Sequence, residues 1–361
     1  MKGLLKLGTV VGIGIFIHWT FILLIAFVVF MNFREGHNFI EAVWSVLFIL
    51  CVFVTVLLHE LGHALVAKKY DIKTRNITLL PIGGIANLER LPEKPSEELQ
   101  VAIAGPIVNF VLAAITQFFI VIPQDSEELL AQLSVGINAH NFFLNFYIVN
   151  ITLGTFNLIP AFPMDGGRIL RALLAFRLSR NAATLIAVRI GQFIAVGFIF
   201  IGILSNPILI LIGIFVVFSA QIEAESVNIK NSIKGYTVKD AIISRYQTIG
   251  ADEKLKNAIA IMLNSEHKKF LVIQNRTIVG TLSKGQILKA FAEKGDEEYI
   301  YNVMDRNLSF IDLNTPLEKI IDRVFENKSN VFIAKENEQI LGILDAAILS
   351  EFILIHSIKT K

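Results

Sequence analysis

The chain of 361 residues is unusually apolar: 54% of its residues are hydrophobic, whereas soluble domains average about 45–50%. A formal net charge of +2 gives no support for nucleic acid as a partner. The single cysteine, Cys51, excludes an internal disulfide and a cysteine-based metal site. We therefore expect an integral membrane protein that binds no nucleic acid.

Six apolar segments predict a polytopic α-helical membrane domain of about six transmembrane helices over residues 1–224. A spanning helix needs about 20 apolar residues, and all but the last segment come close to that length. The first apolar run is longer than the core of a secretory signal, so we expect it to be retained. The segments are Val10–Met31, Ala42–Ala67, Val101–Ile122, Phe142–Ile159, Leu185–Leu204 and Pro207–Ala220.

Lysine and arginine lie in alternate loops, which sets the predicted orientation because cytoplasmic loops are enriched in these residues. The loops after the first, third and fifth segments contain only Arg34. We therefore predict a multi-pass protein with both termini in the cytoplasm. The cytoplasmic loops contain Lys68, Lys69, Lys73, Arg75, Arg90, Lys94, Arg168, Arg171, Arg177 and Arg180.

The second segment carries the metal-binding pattern HExxH as His59-Glu60-Leu61-Gly62-His63. Histidines four residues apart lie on one face of a helix, so both can reach one Zn²⁺, with Glu60 beside it. Zinc lowers the pKa of its bound water to about 7, and a carboxylate can accept that proton. A chance match is disfavoured because ionisable residues inside a membrane span are costly.

A third ligand must come from elsewhere, and Asp165 is the strongest candidate. It follows the fourth segment, where Pro160 and Pro163 end the helix and Gly166-Gly167 turns the chain. Irregular backbone at membrane depth is tolerated where it is buried or lines a cavity. The alternative role for Asp165 is an N-cap of the next helix. His18 in the first segment lies at a similar predicted depth and stays open as a ligand.

HELGH on a transmembrane helix followed by NLIPAFPMDGGR resembles the site-2 protease family of intramembrane zinc metalloproteases, over about residues 10–225. The resemblance implies that His59, His63 and Asp165 bind one Zn²⁺ per chain and that Glu60 is the general base. It further implies hydrolysis of peptide bonds in transmembrane protein substrates, as in regulated intramembrane proteolysis. The protein would then lie among the lipids of a prokaryotic cell membrane.

The same resemblance singles out two asparagines, Asn109 in GPIVN and Asn157 in NLIP. A side-chain amide near the metal could orient the substrate carbonyl or support the oxyanion. The alternative is ordinary hydrogen bonding between helices. For His18 we favour gating or hydrogen bonding near the site over metal ligation.

Two short strands are predicted after the HExxH helix, at Ile77–Pro81 and Ile85–Leu88, around Gly83-Gly84. The family resemblance suggests a hairpin that dips toward the active site. A helical substrate must be unwound before attack, and an exposed strand edge could pair with the unwound stretch. The alternative is a loop at the membrane interface.

Beyond the membrane domain, a linker is predicted over residues 225–234, and an internal repeat with an offset of 62 residues follows. Each copy is typical of a helix, two strands and a second helix. The copies, residues 235–298 and 299–361, resemble a cytoplasmic α/β tandem pair of cystathionine-beta-synthase (CBS) domains. The aligned pairs are Ile249/Ile311, Leu255/Leu317, Ile259/Ile321, Phe270/Phe332, Ile278/Ile340, Gly280/Gly342 and Leu282/Leu344.

Pairs of CBS domains often sense adenine nucleotides, but this pair departs from the usual pattern. The acidic residue expected near the end of each copy is replaced by Gln286 and Ile348. Ser283 and Asp345 remain as candidate polar contacts. We therefore expect weak adenine nucleotide binding at most. The alternative is a structural module that holds a homodimer together.

A transporter or channel regulated by CBS domains is the alternative function, since charged residues could line an ion path. Such a path does not require His-x-x-x-His with an intervening glutamate and a distant aspartate. A protease-like protein without catalysis is disfavoured because all four catalytic positions are occupied. The sequence thus favours a zinc metalloendopeptidase modulated by its CBS domains.

Overall fold

The computed structural model describes residues 3–81, 83–90, 92–123, 125–264, 269–326, 331–336 and 339–359. The chain divides into two units, Met1–Ala224 and Glu225–Lys361. The elements of the first unit, in chain order, are β1 (Leu4–Val10), β2 (Ile13–His18), α1 (Thr20–Arg34), α2 (Phe39–Lys68), β3 (Thr74–Leu80), β4 (Gly83–Leu88), α3 (Pro95–Gln117), α4 (Ser126–Ser134), α5 (Phe142–Asn157), α6 (Asp165–Ala175), α7 (Arg180–Leu204) and α8 (Pro207–Ser232).

Among the described residues, four helices are long and apolar enough to cross a membrane: α2, α3, α7 and α8. Helices α1 and α5 have 15 and 16 residues. At 1.5 Å per residue they extend about 22–24 Å, less than the hydrocarbon core of about 30 Å. The predicted total of six spans stays a prediction.

The prediction of a helix over Val10–Met31 is wrong in its first half. Residues Leu4–Val10 and Ile13–His18 form an antiparallel hairpin, and the helix begins only at Thr20. Val11 and Gly12 connect the strands with φ of 52° and 85°, as in the two-residue turns that suit hairpins. Glycines disfavour helix here and β-branched residues favour strands, so local preference outweighs the helical length of the apolar run.

The last predicted span, Pro207–Ala220, is shorter than the helix observed there. Helix α8 begins at Pro207 as predicted, but it continues to Ser232, through most of the segment 225–234. Residues 221–232 contain neither glycine nor proline, so nothing in this stretch breaks the helix. The first break comes at Gly235, where φ is +82°.

A four-stranded sheet in the order β1-β2-β3-β4 packs against the HExxH helix. Strands β2 and β3 are parallel, whereas β3 and β4 form the antiparallel hairpin predicted around Gly83-Gly84. Ile77 of β3 is fully buried against Leu61 and Ala64 of α2. The hairpin prediction is confirmed, and β4 forms one edge of the sheet.

The second unit contains two three-stranded sheets with the same pairing: each has one parallel and one antiparallel ladder around a central strand. The repeat predicted from the 62-residue offset is thereby confirmed as a structural repeat. Its elements are α9 (Val238–Ala241), β5 (Gln247–Gly250), α10 (Leu255–Asn264), β6 (Lys269–Gln274), β7 (Thr277–Ser283), α11 (Lys284–Lys294), a 3-10 turn (Ile300–Asn302), β8 (Ser309–Asp312), α12 (Leu317–Glu326), β9 (Phe332–Glu336), β10 (Gln339–Leu344) and α13 (Ala346–Lys359).

Candidate metal centre

Helices α2 and α6 bring three candidate ligands together. His59 and His63 of α2 and Asp165 at the start of α6 are 7%, 6% and 7% exposed. The Nε2 atoms of the two histidines lie 3.1 Å apart, and each lies 3.2 Å from Asp165 Oδ2. The three ligand atoms therefore form one compact triangle. Two of the residues lie one helical turn apart, and the third follows 102 positions later along the chain.

The triangle has the size and chemistry of a zinc site. Ligands at about 2.0–2.1 Å from a tetrahedral Zn²⁺ lie about 3.3–3.4 Å from one another, close to the separations of 3.1–3.2 Å seen here. Two imidazoles and a carboxylate form a donor set typical of catalytic zinc, which leaves one position for water. No other cluster of at least three potential ligands is found among the described residues.

Helix α3 orients both histidines. His59 Nδ1 lies 2.5 Å from Asn109 Oδ1, and His63 Nδ1 lies 2.7 Å from the carbonyl oxygen of Val101. Both partners are acceptors, so each Nδ1 carries the proton and each Nε2 offers its lone pair to a metal. Gly105 leaves room for the rings, since a Cβ there would lie 2.6 Å from His59 Nε2.

Two glycines allow the chain to present Asp165. A Cβ on Gly166 would collide with the carbonyl oxygens of Leu158 and Ile159, and one on Gly167 would lie 2.8 Å from the backbone of Ala161. Asp165 is the first residue of α6, and Met164 occupies the N-cap position. The N-cap role considered for Asp165 is therefore wrong, and its carboxylate contacts the histidines instead.

Glu60 is half-buried on α2 beside the edge strand β4. A Cβ on Gly84 of β4 would lie 2.7 Å from Glu60 Cγ, so only glycine lets the strand pass this close. The edge of the sheet and the carboxylate next to the histidines are therefore direct neighbours.

Of the other residues singled out from the sequence, Asn109 joins the site and two do not. Asn109 contacts His59 rather than an open space for substrate, and its buried Nδ2 has no hydrogen-bond partner. Asn157 donates to the carbonyl oxygen of Leu153 in its own helix. His18 ends β2 with its Nδ1 2.7 Å from Thr20 Oγ1, and it is not part of the metal-ligand cluster.

In the second unit, Ser283 and Asp345 cap the helices that follow them. Ser283 Oγ accepts from the Gln286 backbone at 3.4 Å, and the Gln286 side chain accepts from Ser283 N at 2.7 Å. Asp345 Oδ1 accepts from the Ile348 backbone at 2.8 Å, and Oδ2 lies 2.7 Å from Lys269 Nζ in the other repeat. Both candidate nucleotide contacts are therefore engaged within the protein.

Comparison with known proteins agrees with the geometry of this site. The model of peptidase family M50 matches residues 47–135 and 127–201. The zinc metalloprotease MJ0392 of Methanocaldococcus jannaschii is 35% identical over 345 residues, which cover 94% of this chain and 93% of that protein. The chain belongs to the M50 peptidases, the site-2 protease family. It is a membrane protein and a zinc metalloprotease. This family assignment argues against the alternative function of a transporter or channel.

Further comparisons of this M50 peptidase cover different parts of the chain. The putative zinc metalloprotease sll0528 of a Synechocystis species is 26% identical, over 96% of this chain and 94% of that protein. The solved site-2 protease from Methanocaldococcus jannaschii has 38% identity and a TM-score of 0.44, over 61% of this chain and 95% of that one. The CBS domain model matches residues 238–293, so a CBS domain follows the protease unit.

Proposed function

We propose that this M50 peptidase hydrolyses peptide bonds within transmembrane segments of other membrane proteins. His59, His63 and Asp165 are the zinc ligands, and Glu60 is the general base. The observation that carries the proposal is the buried triangle of ligand atoms, two of which belong to an apolar helix of 30 residues. A catalytic centre on such a helix is suited to substrates that are themselves within the membrane.

Zinc, when bound, acidifies its water and polarises the scissile carbonyl. The residues of the chain supply the rest of the chemistry. Asn109 and Val101 hold the histidines in one tautomer, which removes the need to reorganise the ligands during turnover. Glu60 accepts the proton of the attacking water and delivers it to the departing amide nitrogen. Burial of the ligands limits the access of bulk water to the metal site.

Strand β4 is the proposed binding surface for the unwound substrate. Among the described residues, β4 pairs with β3 on one side, and its other edge is available to pair with an extended peptide. Strand addition satisfies the carbonyl and amide groups that a helix loses when it unwinds. Since Gly84 contacts Glu60, a peptide added to this edge would lie beside the general base.

The proposed topology has six spans and both termini in the cytoplasm, as the loop charges indicate. Lys68 ends α2 nine residues after His59, a distance of about 13 Å along the helix. The zinc site would then lie inside the membrane, closer to the cytoplasmic face.

The CBS unit, with predicted boundaries at residues 235–298 and 299–361, is proposed to modulate cleavage. Helix α8 continues from the first unit to Ser232 in the second, which provides a covalent route for a mechanical effect. Because Ser283 and Asp345 already cap helices, adenine nucleotide binding is expected to be weak. Association of two chains through the CBS pair is the proposed alternative role.

The location of the cut tests the proposal. The full chain is reconstituted in lipid vesicles with a single-span membrane protein as the probe, and the fragments are identified by mass spectrometry. We expect cuts inside the apolar segment of the probe, and we expect a zinc chelator to abolish them. Cuts confined to the extramembrane parts of the probe would contradict the intramembrane assignment.

A further inference from the structure

A cluster of charges surrounds a buried arginine of α6, the helix that carries Asp165. Arg171 of α6 is only 2% exposed, and Glu98 of α3 is 4% exposed. Arg171 Nε and Nη2 donate to Glu98 Oε1 at 2.8 and 2.6 Å. Its Nη1 donates to Glu223 Oε1 on α8. A single guanidinium therefore joins three helices.

A second arginine completes the cluster. Arg180, at the start of α7, has Nη2 3.5 Å from Glu98 Oε2, and its Nη1 donates to the carbonyl oxygen of Pro92 at 2.5 Å. Two arginines and two glutamates balance the charge. The Arg171 guanidinium also lies 5.1 Å from the centroid of the Phe162 ring, in the loop that precedes Asp165.

The cluster fixes α6 relative to the helix that orients the histidines. Removing one partner of a buried charge pair is strongly unfavourable because the other charge is left uncompensated. Arg171 is thus held at Glu98, and Glu98 lies one turn before Val101, the acceptor for His63. Since α6 is a single helix of 11 residues, a fixed Arg171 also fixes Asp165 relative to the two histidines.

Helix α8 supports the same arrangement from another side. Val216 of α8 packs in one buried cluster with Ala161 and Met164, and Ala220 packs in another with Phe162. These contacts follow the loop that leads into Asp165. Glu223 lies one turn further along α8, where it binds Arg171. The position of α8 therefore bears on both the loop and α6.

We propose that Arg171 is a positioning residue for the metal centre, and that Glu223 is the residue through which α8 holds Asp165 in place. The proposal rests on the proposed role of Asp165 as a zinc ligand. It assigns Arg171 a function beyond its contribution to the charge of a cytoplasmic loop. It also identifies the contact at which a displacement of α8 would alter zinc binding.

The test compares Glu223→Gln with the matched control Glu225→Gln, an exposed glutamate two residues later on the same helix. Zinc affinity of the full chain is measured by competition with a chromogenic chelator. Absorption of the Co²⁺-substituted protein reports ligand geometry. We expect Glu223→Gln to bind zinc about tenfold more weakly, the lower end of the range for residues that support metal ligands. Its cobalt spectrum should change, and kcat should fall while KM stays constant. Glu225→Gln should match the wild type.

Two further variants make the outcome decisive. Glu223→Asp retains the charge on a shorter side chain and should give intermediate zinc affinity, and it replaces Glu223→Gln if that variant does not fold. A folded variant of Glu223 with wild-type zinc affinity and cobalt spectrum would overturn the proposal. Asp165→Ala distinguishes a failure of the ligand assignment from a failure of the positioning role. If it retains wild-type zinc binding, the ligand assignment itself fails. If it loses zinc while the Glu223 variants do not, only the positioning role fails.

Discussion

Replacement of Asn109 by leucine should weaken zinc binding without a comparable loss of stability in the metal-free protein. The substitution removes the acceptor that lies 2.5 Å from His59 Nδ1, so the imidazole is no longer held in the tautomer that presents Nε2. Loss of such a partner typically weakens metal binding by about 10- to 100-fold, or roughly 1.4–2.8 kcal/mol.

The metal-free protein should tolerate this change because Asn109 also carries an unsatisfied group. Its Nδ2 is buried without a partner, and an unsatisfied buried donor costs about 1–3 kcal/mol. Leucine has a similar volume and removes that cost, which offsets the comparable cost of leaving the buried His59 Nδ1 without its acceptor. We therefore expect a small change in the thermal midpoint of the metal-free chain.

Asn150 of α5 supplies the matched control. It is fully buried, and its Nδ2 donates to the carbonyl oxygen of Phe146 within its own helix rather than to a histidine. Chelator competition should show weaker zinc binding for Asn109→Leu and wild-type binding for Asn150→Leu. Equal zinc affinity in Asn109→Leu and the wild type would refute the tautomer argument, whereas equal losses in both variants would reduce it to a general packing effect.

The topology, the substrate edge and the CBS unit give three further predictions. In a Cys51→Ser background, a cysteine at Ser126 should react with an impermeant thiol reagent added outside the cell. A cysteine at the exposed position of Ser350 should not react. The reverse labelling pattern would contradict the predicted orientation. Gly84→Ala should lower kcat because its Cβ would lie 2.7 Å from Glu60 Cγ, and unchanged cleavage would argue against a close approach of β4 to the general base. Calorimetry of the full chain should show no tight binding of ATP or AMP. Tight binding would show that the helix-capping hydrogen bonds of Ser283 and Asp345 do not prevent nucleotide binding.

The cluster of candidate ligands can be predicted from the sequence because the information that specifies it is local. The i, i+4 spacing of His59 and His63 places both on one face of a helix, whatever the rest of the fold. Asp165 could be predicted because prolines and glycines mark a break at the end of an apolar segment. The structural repeat of the second unit can be predicted for a similar reason, since an ungapped offset of 62 residues preserves the apolar pattern of both copies.

The contacts that support the ligands depend on tertiary packing and could not be predicted from spacing. Asn109 lies 50 residues from His59, and its sequence motif suggested a role toward substrate rather than toward the imidazole. Arg171 and Glu223 belong to segments separated by a complete spanning helix, so nothing in the sequence pairs them. The first apolar segment differs from its prediction because a helix-like apolar length masks the local turn at Val11-Gly12 that forms the hairpin.

The central claim is that Glu60 performs proton transfer at a zinc ion held by His59, His63 and Asp165, and Glu60→Gln tests it most directly. Zinc content and cleavage of a membrane-embedded probe are measured on the same purified full-length preparation. We expect about one zinc per chain in the wild type and in Glu60→Gln, as for three protein ligands and a water, with cleavage lost in the variant. Cleavage by Glu60→Gln at the wild-type rate, with zinc bound, would contradict it.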